Sequence, residues 1–486
     1  MAARVEALRG DPRALNGLLR RMPKGGDLHN HLSGAVDAER YIAWARDDGM
    51  CLDARFTLVP AARCGETGVR PLPADTDSPG YASVVDAWSM RGFVPGPGAS
   101  GHDRFFATFS RFGPVSAGHT GDMVAVALEH AAADHTLYIE LMVTLAGSET
   151  IALADRVWGP ARPIATPEDF ERLRATLRAD PAWPAVLAAG SARLDHATER
   201  ARAVLHCDTA GRSPGCDVTV RYLAQTGRDR APHQVFAQFV AAFELARVDA
   251  RVVGLNLVAP EDGAQALRDE PVQMSMLDAL YRDYTATGLS PLRITLHAGE
   301  LTPSVLPAGA TDTSDALRSH IRRAVEVAHA ERIGHGVDVL SEDRPDELLA
   351  EMARRRVLVE VCLTSNAEIL GVTGAAHPLG RYLAAGVPVA LATDDPGVSR
   401  SDLTAENVRA VVDQHLGYVT LKAMARASLE HAFVPGESLW HGGIPGDPAP
   451  ACASPSAPSC AALLARSERA RLQQHLETEL AAFEGM

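Results

Sequence analysis

Gly26-Asp27-Leu28-His29-Asn30-His31-Leu32 reads as a short extended segment. A period of two puts His29 and His31 on the same side of such a strand. Their ring nitrogens then face one point, which suits a metal ion, although a His-x-His pair taken alone is commonly incidental. Seven more short β-rich runs follow, over 137–144, 217–224, 251–257, 292–297, 332–336, 357–363 and 387–394, each leading into a helical pattern. Strands alternating with helices predict parallel α/β architecture, and eight such units predict a closed (β/α)8 TIM barrel.

Three more of these runs end on chemistry-bearing residues. Ile294-Thr295-Leu296-His297-Ala298-Gly299-Glu300 is an apolar strand that ends in a histidine, a small pair and a carboxylate. The glycine lets the chain turn sharply, so that Glu300 can approach whatever His297 holds. Arg332-Ile333-Gly334-His335-Gly336 brackets a histidine with glycines, which permits close approach of backbone or ligand. Val389-Ala390-Leu391-Ala392-Thr393-Asp394-Asp395-Pro396 places two carboxylates straight after a buried run. Adjacent acids at a core exit are costly unless a cation or a polar ligand compensates them. Strand ends of a barrel converge on one face, where three imidazoles and a carboxylate suit zinc with a position left open for water.

Composition narrows the classes. The chain has 486 residues and a formal charge of −14, which offers phosphate backbones no wide basic face and argues against nucleic acid. No run of about 18 uncharged apolar residues predicts a membrane span. The first 22 residues mix arginines with leucines, lack the apolar core of a secretory signal, and read as a short surface helix. Seven cysteines, odd in number and outside CxxC pairs, suit a reducing compartment and a cytoplasmic protein. Cys452 and Cys460 flank a Pro/Ser/Ala-rich loop and would pair if the protein were exported.

The whole of 1–486 reads as one barrel domain with additions. Residues 51–121 and 159–210 carry the Gly, Pro and Arg content of loops around short helices, with Thr166 as an N-cap before Pro167. Residues 461–483 have helical spacing and predict one terminal amphipathic helix. Phe105, Phe106, Phe109 and Phe112 form an aromatic stripe that serves either the core or the roof of a purine site.

Pro23-Lys24-Gly25-Gly26-Asp27-Leu28-His29-Asn30-His31, His297-Ala298-Gly299-Glu300, Gly334-His335-Gly336 and Thr393-Asp394-Asp395-Pro396 together resemble the signature set of the adenosine deaminase family, within the amidohydrolase superfamily. The Met22-Pro23-Lys24-Gly25-Gly26 lead and the enlarged segment after the first strand are similar to its growth-factor-related branch. The resemblance implies a metal-dependent hydrolase barrel with one Zn2+ per chain on His29, His31, His297 and Asp394. It implies that Glu300 protonates purine N1, His335 orients the attacking oxygen with Asp394 beside it, Asp395 takes N7, the Gly254 amide reaches N3, and His31 and Ser33 face the sugar. The implied reaction is hydrolytic deamination of adenosine and 2′-deoxyadenosine to inosine and ammonia. The partner is then a small purine nucleoside, and a homodimer is compatible with the chain.

Two departures bear on the substrate. The family commonly has Asp at the position of Ser33, and Asp-Leu-Ala-Gly where this chain has Asn256-Leu257-Val258-Ala259. Other 6-aminopurines (adenine, methylthioadenosine, aminofutalosine, a modified nucleoside) are therefore alternatives. AMP is less favoured because the sequence shows no long phosphate clamp apart from Arg354-Arg355-Arg356, which reads better as a solvated helix end. A growth-factor-like binding protein on an inactive scaffold is the alternative of another class.

Overall fold

The computed structural model describes residues 1–96, 98–159, 162–289, 292–307, 315–443, 445–454 and 456–486. Its centre is a sheet of eight parallel strands: β1 (Gly25–His31), β2 (Thr136–Val143), β3 (Thr219–Gly227), β4 (Val252–Val258), β5 (Arg293–Ala298), β6 (Arg332–His335), β7 (Leu358–Val361) and β8 (Val389–Leu391). They pair in chain order. Just beyond the end of β8, the His31 amide donates to the Asp394 carbonyl and the Asp394 amide to the His29 carbonyl, both at 2.9 Å, so the barrel closes at its mouth. The expected TIM barrel is the fold observed. β7 and β8 are shorter than the apolar runs that predict them. Leu363 already begins the helix Leu363–Leu370, and Asp394 turns left-handed at φ 62°, which ends any extended run.

Inside the barrel lies a closed layer of charge. Arg332, wholly buried, donates through Nη2 to Glu140 Oε2 at 2.5 Å and through Nε to Glu360 Oε1 at 2.6 Å. Tyr138 Oη and the Phe433 amide donate to Glu140 Oε1, and Thr295 Oγ1 donates to Glu360 Oε1. The Arg332 guanidinium also lies 3.7 Å over the Phe433 ring. Arg332 and Glu360 tie adjacent strands β6 and β7, while Glu140 on β2 and Thr295 on β5 reach strands that are not their ladder neighbours, so the bonds cross-link the barrel interior in addition to the ladder.

The additions have local order. Residues 51–121 hold three two-residue strands and the helices Pro79–Ala87 and Gly101–Ser116. Residues 159–210 hold Pro167–Ala179, opened by a capping box between Thr166 and Asp169, and Trp183–Val204. The tail departs from the single helix expected over 461–483. It forms Pro458–Arg466 and Glu468–Glu484, because Ser467 leaves the helical region (φ −119°), accepts from the Ala470 amide and donates to the Glu437 carbonyl. The start likewise forms two helices, Ala2–Leu8 and Pro12–Leu19, which bury Val5, Leu15, Leu18 and Leu19 and so do not form a surface helix.

The cysteine expectation is corrected. Cys51 pairs with Cys64, Cys207 with Cys216, and Cys452 with Cys460, leaving buried Cys362 free. Such bridges belong to oxidising surroundings, and the odd count and the lack of CxxC spacing hid them because pairing depends on Cα separations of 4.5–5.6 Å set by the folded chain. No helix among the described residues is long and apolar enough to cross a membrane.

Candidate metal centre and purine pocket

β1 presents His29 and His31 on one side, as its period of two requires, and β5 delivers His297 opposite them. His29 Nε2 and His31 Nε2 each lie 3.1 Å from His297 Nε2, and Asp394 Oδ1 is 3.5 and 3.4 Å from the first two. Zinc bonds of about 2.0–2.2 Å in tetrahedral array would separate their ligand atoms by about 3.3–3.6 Å. The four groups therefore have the spacing of a shared ion. The ring nitrogens facing away are anchored: His29 Nδ1 meets Glu360 Oε2 at 2.7 Å, and His297 Nδ1 meets Asn256 Oδ1 at 2.9 Å. Both acceptors hold the Nδ1 proton, so in their neutral forms His29 and His297 turn their Nε2 lone pairs on one another, an arrangement that a cation between them relieves. Without one, and against the effect of burial, the Asp394 and Glu360 carboxylates push the His29 imidazole up to about 10, a proton that a metal would displace. Burial pushes His31 down to about 4, and a neutral imidazole is the form that binds metal.

Close approach depends on glycine at two places. A Cβ at Gly334 would stand 2.5 Å from His29 Cε1, and Gly299, at φ 77°, makes the turn that brings Glu300 to the site. His335 (φ 66°) and Asp394 (φ 62°) are non-glycine residues held left-handed, strain that the packed barrel mouth supports at a functional centre.

His335 is oriented by a chain of donors whose first member is unambiguous. The Leu379 amide donates to His377 Nδ1 at 3.2 Å, so His377 Nε2 carries the proton and donates to Asn366 Oδ1 at 3.0 Å. Asn366 Nδ2 then donates to His335 Nδ1 at 3.0 Å. A neutral His335 must in consequence carry its proton on Nε2, which is buried without a partner. Burial pushes this imidazole down to about 4 and keeps it neutral. Glu300 Oε1 and Asp395 Oδ1 are also buried without partners. Burial, and then the Asp394 carboxylate, push both acids well above the ordinary carboxyl range, which favours the protonated form that donates a hydrogen bond. Ser365 Oγ donates to Asp394 Oδ2 at 2.6 Å and leaves Oδ1 for the ion.

These groups open into a cavity of about 320 Å3 lined by His31, Ser33, Glu300 and Asp395, with Phe105, Phe106 and Phe109 on its apolar side. Phe112 is not there; it stacks on Tyr41 in the core, 4.6 Å between centroids. Gly254 is a correction. It lies low in β4, where a Cβ would meet Phe433 and Leu223, whereas the cavity is lined by Val258 and Ala259. Counting from Asn256-Leu257-Val258-Ala259 against Asp-Leu-Ala-Gly places the glycine position at Ala259, whose φ of 81° is the conformation glycine favours. That register was the signal available. Asn256 and Glu261 escaped sequence reading, though Glu261 Oε2 accepts from the Gly299 amide at 3.0 Å and holds the turn before Glu300. Arg354, Arg355 and Arg356 sit at a helix end, bonded to Glu351 and to backbone carbonyls, away from the cavity.

The family model described as adenosine deaminase matches residues 196–439, half of the chain. The chain belongs to the adenosine deaminase family. A curated adenosine deaminase of Shewanella loihica is 36% identical over 146 residues, 29% of this chain and 38% of that protein. The matched region thus spans between about two fifths and half of the curated relatives' length. Among solved structures, the adenine deaminase of Arthrobacter aurescens superposes with a TM-score of 0.52 at 19% identity, covering 85% of this chain and 94% of that one. An amidohydrolase of Burkholderia ambifaria, solved with bound Zn, superposes with a TM-score of 0.52 at 18% identity, covering 96% and 95%. At such identities the likeness is one of fold.

Proposed function

We propose that this member of the adenosine deaminase family is a zinc-dependent aminohydrolase that replaces the 6-amino group of an adenosine-type purine by oxygen. The observation that carries the reading is the convergence of three Nε2 atoms and Asp394 Oδ1 within reach of one ion, beside three buried polar groups without partners. His29, His31, His297 and Asp394 would hold the metal. Zinc supplies hydroxide at neutral pH by lowering the pKa of a water from 15.7 to about 7.

The chain's residues account for the rest. Protonated Glu300 donates to purine N1, which draws electrons from C6 and makes it electrophilic. The His335 Nε2 proton aims the attacking oxygen at C6, Asp395 donates to N7, and the Phe105, Phe106 and Phe109 rings cover the base and exclude water. A C6–O bond forms, the Glu300 carboxylate left after donation to N1 takes the proton of that oxygen and passes it to the amine, the C6–N bond breaks, and the amine leaves as ammonia. The backbone at Ala259 borders the cavity where purine N3 would lie. His31 and Ser33 face the sugar.

The test is ammonia release from adenosine and 2′-deoxyadenosine. Activity should vanish on chelation and return with zinc. A chain that binds zinc and nucleoside but releases no ammonia would be a binding protein on this scaffold.

A further inference from the structure

Beyond Ser33 the purine cavity meets a larger one of about 850 Å3, and Ser33 with Gln225 lines both. The larger cavity is walled by both additions. Residues 116–121, at the end of the first, form one side, and the helix Trp183–Val204 of the second presents Arg193, His196 and Arg200 on the other. These three stand at i, i+3 and i+7, one face of a helix, which is why no basic run marks them in the sequence. The Arg193 and Arg200 side chains are 43% and 57% exposed, so their free N–H groups reach open space.

The charges facing them are few. Arg200 Nε donates to Asp122 Oδ1 at 2.9 Å, and Arg193 is held by Glu149 and by the Leu145 carbonyl. His119 touches Asp122 and Asp48, both at 3.1 Å. Asp122 is the only carboxylate lining the cavity among the described residues. The helices Thr120–Ala133 and Gly147–Val157 also begin at this wall without side-chain caps, which adds amide donors to those of the arginines. At the neck stands Ser33, neutral where a family member commonly has Asp, so an anion can pass without meeting a carboxylate.

We infer that the substrate carries a 5′-phosphate, so that this protein deaminates a 6-aminopurine nucleotide whose phosphate lies against Arg193 and Arg200. The inference rests on the deaminase reading above, with Ser33 at the sugar end. The volume leaves room for more than one phosphate.

The experiment measures kcat/KM of the zinc-loaded full chain for adenosine and for adenosine 5′-monophosphate. The nucleotide should be favoured by about tenfold or more, the worth of one charge-assisted hydrogen bond. In the double variant Arg193→Ala, Arg200→Ala that ratio should fall towards one, and in Ser33→Asp it should also fall. Since the arginines tie helices together, calorimetric binding of inosine 5′-monophosphate against inosine to Ser33→Asp gives an independent readout, with the monophosphate losing more. Deamination of adenosine with no preference for the nucleotide, or a preference unchanged in both variants, overturns the inference and leaves the deaminase reading standing. Deamination of neither compound overturns that reading itself.

Discussion

Two buried polar clusters meet at the His29–Glu360 contact, and they are completed differently. Below it, Arg332, Glu140 and Glu360 satisfy one another together with Tyr138, Thr295 and the Phe433 amide, and none of their atoms lacks a partner. Above it, Glu300 Oε1, His335 Nε2 and Asp395 Oδ1 have none, and three imidazole Nε2 atoms crowd together, two of them 3.1 Å from the third. Burial alone does not separate scaffold from site, since both clusters are buried. Completion does: a closed network can only hold the barrel, whereas an open one has bonding capacity left for an ion and a substrate.

That contrast can be broken at four points. The largest effect is expected for His297→Ala, which removes the ligand shared by both short nitrogen contacts; zinc content should drop from about one per chain towards zero and ammonia release should disappear with it. Full zinc by metal analysis would mean that the upper cluster is complete without an ion. Arg332→Met should leave two buried carboxylates unpaired and lower the unfolding free energy of the zinc-loaded protein by about 3–5 kcal/mol in denaturant titrations. A cost under about 1 kcal/mol would show that the lower layer is not the scaffold it resembles.

Glu300→Gln separates the clusters in the other sense. Turnover should fall by roughly 10²-fold while zinc content and denaturation midpoint stay close to those of the parent, since only a proton donor is lost. Unchanged turnover would move the acid role to another group, with His335 first in line. The smallest effect is expected for Asn366→Leu, which cuts the chain running from the Leu379 amide to His335. The rate should drop by about tenfold with zinc retained, because the His335 proton is then free to sit on either nitrogen. A rate equal to the parent's would show that the Nε2 proton does not aim the attacking oxygen.

How far the sequence carried the reading depends on the range of the forces involved. The alternation of β-rich and helical runs and the His-x-His period are local, and backbone geometry alone converts them into eight strands with His29, His31, His297, His335, Asp394 and Asp395 at their ends. The residue types then imply a metal chemistry whatever the details of packing. Apolar continuity overstates β7 and β8, which stop at Val361 and Leu391, because a helix starts at Leu363 and Asp394 turns left-handed.

Other features arise from how the folded chain brings positions together, whether a few residues apart, as in the disulfides, or far apart in sequence. The three disulfides depend on how loops fold back. The exchange of Gly254 for Ala259 depends on where the mouth lies relative to β4, whose last residue is Val258; the motif register points to Ala259, whereas glycine identity alone points to Gly254. The lower network joins residues 138, 140, 295, 332, 360 and 433 through side chains whose spacing carries no signal. The same holds for the arginine face beyond Ser33: its helix lies in an addition that no pattern ties to the purine site. Composition and local period can place such a helix in the sequence, but only packing of the additions against the barrel brings its charges to the substrate.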